Sequence, residues 1–202
     1  MLRKKKLSKF KGKRIDQFNR ISEGLINRGY KEKLLTVTTL KANVMAILIF
    51  LPIYMICCLL FHMIYKDNYS YPMLNSVFWI VVVIGIVVHE FIHGITWGYS
   101  CKKGYKAISF GFELSTLTPY CCCSEAMPFK NYALGCAMPT IILGIIPYII
   151  GLILGNYYYA MFGGLHILCG GGDMYVLWLI RKNYNSIIVD HPYLVGCVAF
   201  EK

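Results

Sequence analysis

The sequence predicts an all-α integral membrane protein of about four transmembrane helices, with a short cytoplasmic β-hairpin or strand between the second and third. Three observations predict it. Apolar residues are 57% of the 202 residues, and mean hydropathy is +0.53. They gather into long stretches with the charges between them, whereas an ordinary soluble domain is about half apolar and spreads those residues out. The cations are also concentrated: thirteen of the 21 Lys and Arg precede residue 42.

Residues 1–41 are basic and polar. Ile15, Phe18, Ile21, Leu25 and Ile26 recur at helical spacing, which predicts a short amphipathic helix on the membrane surface, ended by Gly29 and Tyr30. The first span runs from about Ala42 to Tyr65 without a charge, and Pro52 is positioned to kink it. A polar loop, KDNYSYP, leads to the second span, from about Leu74 to Tyr99. In the following segment Ile108, Phe110, Phe112 and Leu114 alternate with Ser109, Gly111, Glu113 and Ser115. That period of two predicts a strand over 106–115. The third span, about Tyr132 to Leu154, contains Pro139 and Pro147, and the fourth runs from about Tyr157 to Ile180. The chain divides into a cytoplasmic segment 1–41, a transmembrane domain 42–180 and a cytoplasmic tail 181–202.

Net charge is +11, and its placement decides what it means. A basic flank beside a first span satisfies the positive-inside rule and suits anionic headgroups. No groove-reading or base-stacking motif accompanies it, so nucleic acid is not the expected partner. The loop after the first span has one Lys, the 101–130 segment four, the 155–156 link none and the tail three. A multi-pass cell-membrane protein with both termini in the cytoplasm fits this pattern. All nine cysteines then fall in spans or cytoplasmic segments, so no structural disulfide is expected.

The chemistry is concentrated at His89-Glu90-Phe91-Ile92-His93, an HExxH arrangement. Residues i and i+4 share a helix face, so both imidazoles can reach one ion. Glu90 is placed to take a proton from water on that ion. Zn2+ suits the task, because it lowers the pKa of its water towards 7. Ionisable groups inside a span are costly and usually functional.

Two histidines leave zinc short of a protein ligand. Asp173 is the leading candidate on depth. His89 lies about 22 Å into its span and Asp173 about 24 Å into its own, both counted from the outer side at 1.5 Å per residue. Glu125, Cys121, Cys122, Cys123 and His191 remain alternatives. His166, seven residues before Asp173, is too far along the axis for the same ion. It reads as a buried, hydrogen-bonded histidine or as part of an access path.

These residues resemble the site-2-protease group of intramembrane metalloproteases. More closely, the layout is similar to the small bacterial HExxH membrane proteins described as putative zincin peptidases. The likeness runs from about Gly24 to the C-terminus, through ISEGLINRGY, HEFIHG, GGGD and DHPYLVGC. It implies His89, His93 and Asp173 as zinc ligands and Glu90 as catalytic base. Site-2 proteases carry Asn-Pro before the ligand Asp and Gly after it, whereas this chain has Gly-Gly-Gly before Asp173 and Met174 after it.

The function expected is metal-assisted hydrolysis of a peptide or membrane-protein substrate at the bilayer. The 106–115 strand offers an edge for an extended substrate, with Phe110 and Phe112 as contact residues. Two rivals stand beside it: a non-catalytic zinc-binding membrane protein acting as sensor, chaperone or immunity-type partner, and a small ion or proton transport component. Glu90 favours the enzyme, since a pure zinc holder needs no base.

Overall fold

A computed structural model describes residues 9–66, 75–114 and 116–202. Most of the loop after the first span, the expected start of the second span at Leu74, and Ser115 lie outside the described residues.

Helix α1 (Lys9–Ile26) is the expected amphipathic helix, but a sheet rather than a bilayer covers its apolar face. Phe18, Ile21 and Leu25 pack against Val189, Val198 and Phe200. A protein surface with complementary side chains gives close-packed contacts that a fluid headgroup layer does not.

The all-α expectation is corrected by that sheet. Strands β1 (Lys31–Val37), β4 (Ala126–Pro128), β5 (Ile187–Asp190) and β6 (Val195–Glu201) form four antiparallel strands in the order β1-β6-β5-β4. β1 pairs with β6 from Lys31↔Glu201 to Val37↔Val195, so the segments flanking the spans are joined. β6 lacks polar alternation because both its faces are covered. Cys197 and Ala199 enter the core with Trp97, Tyr132 and Ile180, whereas Val198 and Phe200 meet α1. Gly196 has φ +107, and a Cβ there would collide with the Leu35 carbonyl.

The hairpin expected after the second span is present as β2 (Ile108–Glu113) and β3 (Thr118–Cys123), paired from Ile108↔Cys123 to Glu113↔Thr118. Its first strand matches the alternating run. Its second, Thr-Pro-Tyr-Cys-Cys-Cys, has no alternation to announce it.

Among the described residues, three helical runs are long and apolar enough to cross a bilayer: α2 (Thr39–Tyr65), α3 (Ser76–Ser100) and the run Phe129–Leu154. Thr38 caps α2 by accepting from Lys41 N, and Asn75 caps α3 by accepting from Val77 N. The outward faces of α2 and α3 are aliphatic, with Leu48, Ile56, Met63 and Val83 all more than half exposed. The third run comprises α4 (Phe129–Pro139), a π-helical turn (Thr140–Ile145) and α5 (Ile146–Leu154). Pro139 lacks an N–H, and the wider turn follows directly on it.

The fourth expected span is broken. Helices α6 (Tyr157–Cys169) and α7 (Gly171–Ile180) meet at Gly170 with a bend of 44°. Glycine permits the crowding there. A Cβ at Gly170 would strike Thr140 Oγ1, and one at Gly171 would press on Phe50 of α2. The break also turns Asp173 into the first turn of α7, where the positive end of the helix dipole favours a carboxylate.

Candidate metal centre

His89 and His93 stand one turn apart on the inner face of α3, both buried. Their Nε2 atoms are 3.2 Å apart. Asp173 Oδ2 reaches across from α7, 2.9 Å from His89 Nε2 and 3.3 Å from His93 Nε2. The depth reasoned from the sequence is where these three side chains meet. Glu90, the next residue on α3, offers a carboxylate oxygen within 4.8 Å of both imidazole ligand atoms.

The donor set fits zinc. Tetrahedral bonds of 2.0–2.1 Å place neighbouring ligand atoms about 3.3–3.4 Å apart. The three separations of 2.9, 3.2 and 3.3 Å describe one such face, slightly contracted. His93 is oriented for it: Nδ1 is hydrogen-bonded to the Gly135 carbonyl at 2.8 Å, which leaves Nε2 as the ligand atom. Trp97, a further turn along α3, stacks on the His93 ring, and Tyr132 stacks on Trp97.

A cleft of about 370 Å³ opens onto these groups, lined also by Arg14, Tyr120, Cys121 and Asp190. Strand β3 forms one wall, and its unpaired side is already engaged. Position 119 is proline, Cys121 N–H faces the Glu90 carboxylate, and Cys123 N–H donates to Asp190 Oδ2 at 3.1 Å. Asp190 Oδ1 accepts from the Tyr132 hydroxyl at 3.1 Å. Burial pushes the Asp190 carboxyl up to about 6, against the opposing pull of the Cys123 N–H and the Arg14 guanidinium.

The alternative ligands are otherwise occupied. Glu125 accepts from the backbone N–H groups of Lys102 and Lys103 at 2.8 and 3.1 Å. Cys123 Sγ faces Cys101 Sγ at 3.1 Å. Burial raises the thiols of Cys121 and Cys122, the latter to about 12, and neither sulfur falls in the close group of ligand atoms formed by His89, Glu90 and His93. His191 Nδ1 accepts from Leu194 N at 3.0 Å. Phe110 and Phe112, expected as substrate contacts, project from β2 and are not among the described residues lining the cleft. The Phe110 ring lies instead against Phe91, with centroids 5.1 Å apart. His166 is buried completely, but neither ring nitrogen has a hydrogen-bond partner among the described residues, contrary to the first of its two expected readings, a bonded histidine.

Trp97 was not singled out in the sequence, although its i+4 spacing from His93 is a signal that could have found it. Gly135, Tyr132, Asp190 and Arg14 had no such signal, since each arrives from a distant part of the chain with no motif of its own.

A helical chain with several bilayer-length apolar helices, built around an HExxH cluster, is the class that fold and site define. The model of a family described as putative zincin peptidase matches residues 81–188, more than half of the chain, and the chain belongs to that family. No curated protein and no solved structure matches it.

Proposed function

We propose that this chain is a zinc-dependent peptidase of the membrane, hydrolysing peptide bonds in a membrane or membrane-proximal substrate. The observation that carries the reading is the meeting of His89, His93 and Asp173 within 3.3 Å, beside Glu90 and at the floor of a cleft. His89 Nε2, His93 Nε2 and an Asp173 oxygen would hold the ion. Bound there, zinc supplies a Lewis acid for the scissile carbonyl and lowers the pKa of water. Glu90 takes the proton from the attacking water and returns it to the leaving amine. The Gly135 carbonyl and the Trp97 ring keep His93 in place through the cycle.

The substrate enters along the wall made by β3. On that strand Pro119 has no N–H and the Cys123 N–H already donates to Asp190, so an extended substrate finds few free donors there and must offer its own N–H groups to the strand's carbonyls. Sequence charge and the β1–β6 pairing support both termini lying on one side, the cytoplasmic one, with the aliphatic helix faces in lipid.

The test compares membrane-fraction proteomes of cells carrying wild-type chain or Glu90→Gln. Cleavage products present only with the wild type are expected, with zinc retained by both proteins. Undiminished cleavage by Glu90→Gln would exclude the base and the mechanism built on it.

A further inference from the structure

The two imidazoles of the metal centre are held unequally. His93 Nδ1 is bonded to the Gly135 carbonyl. His89 Nδ1 is buried with no hydrogen-bond partner among the described residues. A ligand histidine needs its second nitrogen bonded, because that bond fixes the tautomer and aims the ring.

A second buried histidine has the complementary deficit. His166 of α6 is 0% exposed, and both Nδ1 and Nε2 are without partners among the described residues. A buried imidazole with neither nitrogen bonded is costly and calls for a reason. Its ring packs against Phe162, with centroids 4.3 Å apart, and against Gly85 of α3. A Cβ at Gly85 would run into His166 Nε2 and Cε1, so glycine there lets the imidazole approach the helix.

Gly85 is four residues before His89, one turn away on the same face. Helical side chains lean towards the N-terminus, so His89 leans towards the turn on which the His166 ring rests at Gly85. The two rings are near enough to interact electrostatically, and two consecutive hydrogen bonds through a single water can bridge about 5 Å between their nitrogens.

Resting on the zinc reading above, we propose that His166 is the positioning residue of His89, acting through one bridging water. His89 Nδ1–H donates to that water, and the water donates to a ring nitrogen of His166. These two contacts meet the minimum a buried water requires. The centre then has two supports of different kinds: a direct backbone carbonyl from α4 for His93, and a water-linked imidazole from α6 for His89.

The experiment measures zinc affinity of the purified full chain in detergent, by chelator competition, for wild type, His166→Phe and His166→Gln. Folding is checked by circular dichroism. His166→Phe keeps an aromatic ring beside Phe162 but removes both nitrogens, and should weaken zinc binding by about tenfold or more. His166→Gln keeps a donor and an acceptor and should restore most of the affinity. Equal affinity of His166→Phe and wild type would overturn the proposal, as would a His166→Gln protein no better than His166→Phe. If His166→Phe does not fold, His166→Leu is read by the same criterion. A wild type that binds no zinc sinks the peptidase reading itself; a zinc-binding wild type with an indifferent His166→Phe sinks only this inference.

Discussion

The indole of Trp97 lies nearly parallel to the His93 imidazole, with ring centroids 5.0 Å apart and planes 17° from coplanar. Tyr132 continues the stack at 5.4 Å and 18°, and its hydroxyl donates to Asp190 of β5. One continuous series of contacts thus leads from the C-terminal sheet, through α4, to the candidate ligand ring of His93 on α3. The sheet that the sequence did not announce is part of what aims the site.

Gly135 sits at the tightest point of that series. Its carbonyl holds His93, and a Cβ on it would overlap the Trp97 indole. Gly135→Ala should therefore cost about 1–3 kcal/mol, as overpacking does. It should also reduce zinc retention, because the indole and the carbonyl must both move. Thermal denaturation in detergent and metal analysis of the same sample measure the two effects; full zinc content with unchanged stability would contradict the packing argument.

Asp173 supplies an oxygen to both imidazoles, so its loss should be felt in the metal rather than in the fold. Asp173→Ala is expected to bind zinc much more weakly than wild type in equilibrium dialysis, where the wild type binds about one ion per chain. An unchanged affinity would assign the third ligand elsewhere.

Asp190 gives a pH dependence of definite sign. Its carboxyl titrates at about 6 in the fold, against an ordinary value of 3.8. Between those values the native chain holds a proton that the unfolded chain releases, so stability is highest at the acid end and falls as pH rises through the window. Asp190→Asn removes that contribution. Denaturation measured from pH 4 to 7 should show a downward slope for wild type that is flattened in the variant. Parallel curves would mean that Asp190 titrates normally.

Leu25 tests whether α1 belongs to the sheet or to the bilayer. It is 8% exposed, packed with Val189, Val198 and Phe200. Leu25→Ala should destabilise the sheet end by about 2–5 kcal/mol and expose α1 to limited proteolysis in detergent, where no bilayer is present to hold it. Protease resistance equal to wild type would return α1 to the membrane surface.

The parts legible beforehand share one property: they rest on local pattern. Long apolar runs gave the helices long enough to cross a bilayer, alternation at 108–113 gave β2, and an i, i+4 spacing gave the His89–His93 face. Asp173 does lie 2.9 Å from His89, the closeness expected from a constant helical rise, although the helical pair carrying it is bent at Gly170. β6 was missed for a physical reason. A strand buried on both faces has no polar alternation, and its partner β1 lies more than 150 residues away in the chain.

By itself, then, the sequence determined which stretches are apolar enough to enter a bilayer and which helix carries the HExxH histidine pair, because both follow from spacing along one continuous segment. Tertiary structure alone decided that the two ends of the chain close into a sheet, that Gly135, Trp97 and Tyr132 steady His93, and that His166 stands over Gly85 beside His89. Those relations depend on how distant surfaces fit together once packed, and no local period records that fit.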